Sequence, residues 1–194
     1  RLNYANNEVS NGVLKVTTQE NALLYDVSLG KIKNAEYEIP RTTLIGKLED
    51  NTVDYALNLK DTENKDKYII SGIYKDSLGA SISSLNPEKL LLNYEDWKID
   101  NDNIIKIEKN GILGSDFKIE NNQQSFSLQS ESNSATSPIV AKFENFKLES
   151  LTSIAKSNYE VGGNINGEAT IKNINTTPLF VADLNIEGFK IKND

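Results

Sequence analysis

Apolar and polar side chains take turns along much of this chain, most clearly in Val53-Asp54-Tyr55-Ala56-Leu57-Asn58-Leu59, where Val53, Tyr55, Leu57 and Leu59 fall two apart. A β-strand sends successive side chains to opposite faces, so this period predicts a strand with one oily side and one wet side. The same spacing recurs in Leu184-Asn185-Ile186 and in Phe189-Lys190-Ile191. The whole stretch from Val161 to Lys192 reads as strand, loop, strand. Gly162, Gly163 and Gly167 are expected at turns, where the backbone can need positive φ, and Pro178 can open the second strand because it need not donate a ladder hydrogen bond there.

The rest of the chain continues the rhythm. Val9, Val13-Leu14-Lys15-Val16 and Leu23-Leu24-Tyr25-Asp26-Val27 predict short strands joined by Asn-rich turns and Gly12, and Leu29-Gly30-Lys31-Ile32, Tyr37-Glu38-Ile39-Pro40 and Leu44-Ile45-Gly46-Lys47-Leu48 follow. The charged run 61–67 predicts a solvated hairpin loop leading to a strand over Tyr68-Ile69-Ile70-Ser71-Gly72-Ile73-Tyr74. Residues 85–92 have the look of one helical turn, with Pro87 restricting its start. Trp97-Lys98-Ile99 and Ile105-Lys106-Ile107 are expected to pair across Asp100-Asn101-Asp102-Asn103. Phe117-Lys118-Ile119 and Phe126-Ser127-Leu128 are expected to pair across residues 120–124, giving two successive hairpins of a meander. The small polar run 129–137 predicts a mobile loop before a strand over Ile139-Val140-Ala141-Lys142-Phe143. One short α-helix is expected near residues 150–157, capped by Ser150 and carrying Leu151, Ile154 and Ala155 as an apolar stripe. No repeat of fixed length emerges.

Composition sharpens this all-β, antiparallel picture. The 194 residues are enough for one sizeable domain, so the span 1–194 reads as a single β-rich unit. A hydrophobic fraction of 38% and a mean hydropathy of -0.47 are lean for a compact globule and suit a single-layer sheet with one wetted face. The net charge of -7 opposes nucleic acid, and arginine occurs only as Arg1 and Arg41, which leaves little means for a bidentate grip on phosphate. The chain starts at Arg1 with no apolar leader, and no run nears the ~20 apolar residues of a membrane helix, so it reads as an internal fragment of a longer protein.

Candidate chemistry is sparse. Without histidine or cysteine, triads of the Ser-His or Cys-His kind, disulfides and imidazole or thiolate zinc sites are excluded. Asp54, Asp183 and Glu187 occupy the polar positions of their own alternations and read as solvated groups rather than a catalytic carboxylate pair. Residues 100–103 open like a calcium loop, but Ile104 stands where an oxygen ligand belongs. Gly162 and Gly167 have phosphate-loop spacing, but Glu168 and Ala169 replace the Lys and Ser or Thr that hold phosphate and magnesium. Asn175-Thr176-Thr177 matches a glycosylation sequon and is read as chance. No enzyme activity, cofactor or metal is expected.

The oily face must then be covered. A second sheet could do it, with Trp97, Phe117, Phe126, Ile186 and Phe189 as plain core; so could the same sheet curling on itself, or something from outside.

Several passages resemble the C-terminal repeats of the TamB family, within the AsmA-like superfamily, whose members bridge the two membranes of Gram-negative bacteria. They are the glycines with Asn166-Gly167, the Ile171 strand, Pro178-Leu179-Phe180-Val181-Ala182-Asp183-Leu184-Asn185-Ile186, and, upstream, Leu91-Leu92-Asn93-Tyr94-Glu95-Asp96-Trp97-Lys98-Ile99 with Asn103-Ile104-Ile105-Lys106-Ile107. The resemblance implies an antiparallel meander curled into a U-shaped, taco-like sheet with an apolar concave groove. It implies a periplasmic protein anchored in the inner membrane by a segment absent here. It also implies phospholipid transport between the membranes, support of outer-membrane biogenesis, and as partners phospholipid acyl chains and an outer-membrane assembly barrel protein. On this reading Val53, Tyr55, Leu57, Leu59, Trp97, Ile99, Ile105, Ile107, Phe117, Ile119, Phe126, Leu128, Ile171, Leu184, Ile186, Phe189 and Ile191 face inward and line the lipid groove, though each serves equally well as sealed core. The rival is a structural or protein-binding module that accepts a β-strand and carries no lipid. Open ends and an oily face also predict self-association of the fragment.

Overall fold

The computed structural model describes residues 2–4, 7–77, 79–154, 156–157, 159–174 and 176–193. The strands are β1 (Leu2–Tyr4), β2 (Asn7–Ser10), β3 (Val13–Gln19), β4 (Ala22–Leu29), β5 (Lys31–Lys33), β6 (Tyr37–Ile39), β7 (Thr42–Glu49), β8 (Thr52–Lys60), β9 (Asp66–Ser77), β10 (Ala80–Leu85), β11 (Leu90–Leu92), β12 (Glu95–Ile99), β13 (Ile104–Glu108), β14 (Gly111–Ser115), β15 (Phe117–Asn121), β16 (Gln124–Ser130) and β17 (Ile139–Lys147). After the helix α1 (Glu149–Thr152) come β18 (Lys156–Ser157), β19 (Tyr159–Lys172) and β20 (Leu179–Asn193). The fold is all-β and antiparallel with one short helix, as the alternation predicts, and the sheets do not close into a barrel.

The main sheet runs β20-β19-β17-β16-β15-β12-β11-β9-β8-β7-β4-β3, with β10, β13 and β14 branching from β9. A smaller sheet runs β1-β2-β5-β6-β18. The two are related by a line of breaks. β2 passes into β3 at residues 11–12, β4 into β5 at Gly30, and β6 into β7 at residues 40–41. Ladder order is the same on both sides, β2-β5-β6 beside β3-β4-β7. These are three long antiparallel strands interrupted at one level, by Asn11 with φ 51°, by Gly30 and by Pro40. Positive φ stops the ladder at Asn11 and a missing N–H at Pro40, while at Gly30 the chains approach so closely that a Cβ would run into Asn11.

The pattern repeats downstream. β10 and β11 are separated by residues 86–89 with Pro87, β12 and β13 by residues 100–103, and β14 and β15 by Asp116 with φ 50°, again with matching order, β10-β13-β14 beside β11-β12-β15. This corrects two expectations. Trp97-Lys98-Ile99 and Ile105-Lys106-Ile107 do not form a hairpin: β12 pairs with β11 and β15, β13 with β10 and β14. Residues 100–103 are a corner within one long strand, held by fully buried Asn103. Its Oδ1 accepts from Leu85 N at 2.7 Å, and its Nδ2 donates to Leu85 O at 3.0 Å and Asp100 O at 2.7 Å, so the side chain replaces a missing rung. Residues 85–92 likewise make a corner and β11 rather than a helical turn.

The hairpin β8–β9 and the pairing of β15 with β16 match the sequence reading. The helix differs. It is one turn, Leu148 is its N-cap without a side-chain bond, and Ser150 is buried inside it rather than capping it. The chain is already held there by Leu148 N donating to Gly163 O at 2.9 Å and by Glu149 accepting from Gly163 N at 3.2 Å. Residues 156–157 pair with β6 as β18, because ladder bonds to Tyr37 and Glu38 replace those a second helical turn would make. Ala155 lies outside the described residues. Gly163 and Gly167 have the positive φ expected of them, but inside β19 rather than at turns: a Cβ on Gly167 would run into Asp183 O of β20. The run 129–137 is partly β16 and partly a loop whose Ala135 is buried against Gly111.

Candidate functional site: one apolar face across the sheet

Ladder partners in an antiparallel sheet share a face. Following the partners outward from Val53-Asp54-Tyr55-Ala56-Leu57-Asn58-Leu59 traces a single apolar strip. Leu59 is opposite Tyr68, Leu57 opposite Ile70 and Val53 opposite Tyr74; Tyr68 is opposite Leu92, and Leu90 opposite Trp97. Beyond Trp97 one unbroken row crosses six strands: Ile99, Ile119, Phe126, Phe143, Gly167 and Leu184. Leu128 joins it beside Phe117, Ile171 beside Ile139, Ile186 beside Ile165, and Ile191 beside Val161. On the branch, Ile105 is opposite Ser83, itself opposite Tyr74, and Ile107 is opposite Ser81. All seventeen residues singled out by the sequence therefore fall on one face.

Two bulges keep them there. Between Glu187 and Lys190, two residues of β20 face the single Gly163 of β19, and Gly188 adopts φ 61°. The extra residue restores the parity that a three-residue step from Ile186 to Phe189 would otherwise break. In β17 the register shifts between Phe143 and Phe146, with Asn145 at φ 47°, and both rings stay on the strip. Phe146 is a member of the face that alternation missed for this reason, and Phe143, in step with Ile139 and Ala141, is one that alternation could have found. The signal that finds Phe146 is an Asn tolerant of positive φ between aromatics three apart.

Burial divides the strip into a sealed centre and open flanks. Leu59, Tyr68, Leu90, Leu92, Trp97, Ile99, Ile119, Phe146 and Ile165 form one buried cluster, with Leu57, Phe117, Phe126 and Phe143 packed against it. Trp97 and Phe146 belong to strands three apart in the sheet, a separation of roughly 14 Å in a flat sheet, yet their ring centroids lie 5.5 Å apart. Phe126 sits between, 5.0 Å from Phe143 and 6.1 Å from Phe146. The face is thus drawn in on itself at the centre. At the flanks it is bare: Leu184, Ile186, Phe189 and Ile191 on β20, and Leu14, Val16 and Leu48 near the other edge, are exposed.

Polar groups frame the centre. Lys147 Nζ lies 2.6 Å from Glu95 Oε1, and Gln124 donates to Glu95 Oε2 at 3.0 Å while its own Oε1 accepts from Lys147 N. The Lys147 bond holds the Glu95 carboxyl below the usual range. At the opposite corner Lys67 donates to Ser153 O at 2.6 Å, tying the α1 segment to β9, and burial lowers its ammonium pKa. Burial, assisted by the bond to Asp61, pushes the neighbouring Tyr94 phenol up to about 12. A cavity of about 410 Å³ opens beside this tie, lined among others by Pro40, Lys67, Ile154 and Val161.

On the β4–β9 flank a ladder row reads Tyr25, Gly46, Tyr55, Gly72. Each tyrosine lies against the glycine beside it, and Tyr25 OH donates to Asp54 O at 2.9 Å. Burial raises both phenol pKa values, and Tyr55 is moderated by a bond to Ser83. Asp54 stands on the opposite face beside Lys47, at the polar-out position expected of it. Among the described residues no group of three His, Cys, Asp or Glu side chains could hold a metal.

Comparison with family models, with curated proteins and with solved structures finds no match to this chain.

Proposed function

We propose that this chain is a segment of a longer, TamB-like β-ribbon of the periplasm, whose apolar face forms a U-shaped groove that shelters lipid acyl chains as phospholipid passes between inner and outer membranes. The observation that carries the reading is the apolar strip itself: strand registers and two bulges keep it on one face from β3 to β20, and it stays bare at both ends. Each methylene taken from water contributes roughly 0.8 kcal/mol, so eight of them would offer about 6 kcal/mol against the cost of ordering the tail. Such contacts have no direction, so a tail can slide without breaking fixed hydrogen bonds. On this reading the tail lies along the exposed flanks, because the packed rings of Trp97 and Phe146 already fill the middle.

A photo-crosslinking side chain at Ile186 or Leu14 tests this in the presence of phospholipid. The expected result is capture of acyl chains at both positions and none at Asn185, on the opposite face of β20. Equal capture at Asn185, or none at all, would remove the lipid reading. The rival, a β-strand acceptor serving assembly of an outer-membrane barrel protein, is favoured by a different feature, edge strands such as β3 and β20 that have one ladder partner each among the described residues.

A further inference from the structure

The cavity of about 410 Å³ beside the Lys67–Ser153 tie lies where β6, the β8–β9 loop, α1 and β19 meet, so parts of the chain far apart in sequence build it. Its size is that of a small-molecule site. The walls are of two kinds. Pro40, Ile154 and Val161 are apolar, and Val161 stands opposite Ile191, so this wall continues the apolar strip. The other wall is charged, and most of its charges are already matched. Asp61 accepts from Tyr94 OH at 2.8 Å and from the Glu63 and Lys65 amides, each at 2.9 Å. Glu149 lies 3.2 Å from Lys190 Nζ, Glu38 lies 3.3 Å from Lys31 Nζ, and exposed Glu160 stands opposite Lys192 in the ladder.

Lys67 is the exception. Leu59 pairs with Tyr68 and Lys60 with Asp66, so Lys67 is the extra residue of a bulge, which turns its side chain out of the ladder's alternation. Its Nζ donates to Ser153 O at 2.6 Å, lies 5.8 Å from the centre of the Tyr94 ring, and makes no ion pair among the described residues. An ammonium carries three N–H donors, and that bond to Ser153 uses one of them. Burial lowers its pKa, as expected of a cation short of both water and counter-charge. The Asn93 amide and the Thr62 hydroxyl line the same cavity, make no side-chain hydrogen bond among the described residues, and add neutral donors. We propose that this cavity holds the phosphate of a phospholipid headgroup, with Lys67 as its counter-ion and the acyl chain leaving past Val161 onto the apolar strip. An unmatched cation calls for an anionic oxygen, and the aliphatic wall beside it calls for an amphiphile rather than a free ion. The site rests on the lipid reading above and adds to it one end held by charge, where the tail itself is free to slide.

Isothermal titration calorimetry on the full chain tests this with three probes: dihexanoyl phosphatidylglycerol, dihexanoylglycerol, which lacks the phosphate, and inorganic phosphate. The phospholipid should bind at least roughly tenfold more tightly than either of the others. Lys67→Gln should erase that preference and leave binding of dihexanoylglycerol unchanged. Lys67→Arg, which keeps the charge and a donor for Ser153 O, should retain it, and a circular dichroism spectrum checks that the sheet persists in both variants. A preference that survives Lys67→Gln or is lost in Lys67→Arg, or equal affinity for the charged and uncharged lipids, overturns the headgroup site and leaves the lipid reading standing. Inorganic phosphate bound as tightly as the phospholipid overturns it in favour of a free-ion site. Binding of neither lipid overturns both the site and the reading on which it rests.

Discussion

Trp97 and Phe180 belong to strands of the same sheet and to the same side of it, yet one is 4% exposed and the other 68%. The difference lies in neighbours. Around Trp97, five strands bring Leu90, Ile119, Phe126 and Phe146 together, and the Glu95–Lys147 pair with Gln124 frames the edge. Around Phe180 there is β19 on one side and, among the described residues, no strand on the other. Alternation specifies that a residue belongs to the oily side; how many strands converge over it decides whether it is core or surface.

That contrast can be broken most strongly by truncation. Trp97→Ala should cost about 3–5 kcal/mol, since it removes a large side chain from a packed cluster that cannot collapse around the hole. Phe180→Ala should stay within about 0.5 kcal/mol. Urea unfolding of the two variants would measure both, and similar losses would mean that the flank is as packed as the centre.

The flank has its own local constraint, the bulge that keeps Phe189 on the apolar side. Gly188→Ala should cost about 1–2 kcal/mol from backbone alone, because φ is 61° and a Cβ there meets no atom within 4 Å. A thermal melt would read it, and no change would show that the bulge relaxes freely.

The smallest effect distinguishes the centre by pH. The Glu95 carboxyl is held down chiefly by Lys147, so its folded pKa lies below the unfolded one. The stability this contributes is present above the ordinary glutamate value of about 4.3 and is lost as pH falls through the lower folded value. Glu95→Gln should lower stability slightly at neutral pH, where the pair contributes, and flatten the acid limb so that the two stability-against-pH curves converge below the folded value. An acid limb of unaltered slope would show the pair to be a solvated contact.

Much of this was legible in the residues. The run from Val53 to Leu59 is a strand with its apolar positions on one face, and the seventeen residues chosen by period share that face. The corner at residues 100–103 was not legible, because a turn between two oily triplets has the same local chemistry whether the chain reverses or bends. Buried Asn103 decides the matter by bonding Leu85, a residue 18 positions away. Phe146 was missed because a bulge changes the period by one residue, and Ser150 was misread because a one-turn segment anchored by Gly163 needs no side-chain cap.

By itself the sequence determined the antiparallel β class, the oily side of each strand and the lack of imidazole or thiol chemistry, since side-chain alternation and residue identity are local properties. Which strands stand next to which, where the long strands break, and which part of the apolar side is closed were decided only by tertiary structure. Those depend on ladder partners and ring contacts between residues far apart in the chain, and no window along the sequence contains both halves of such a contact.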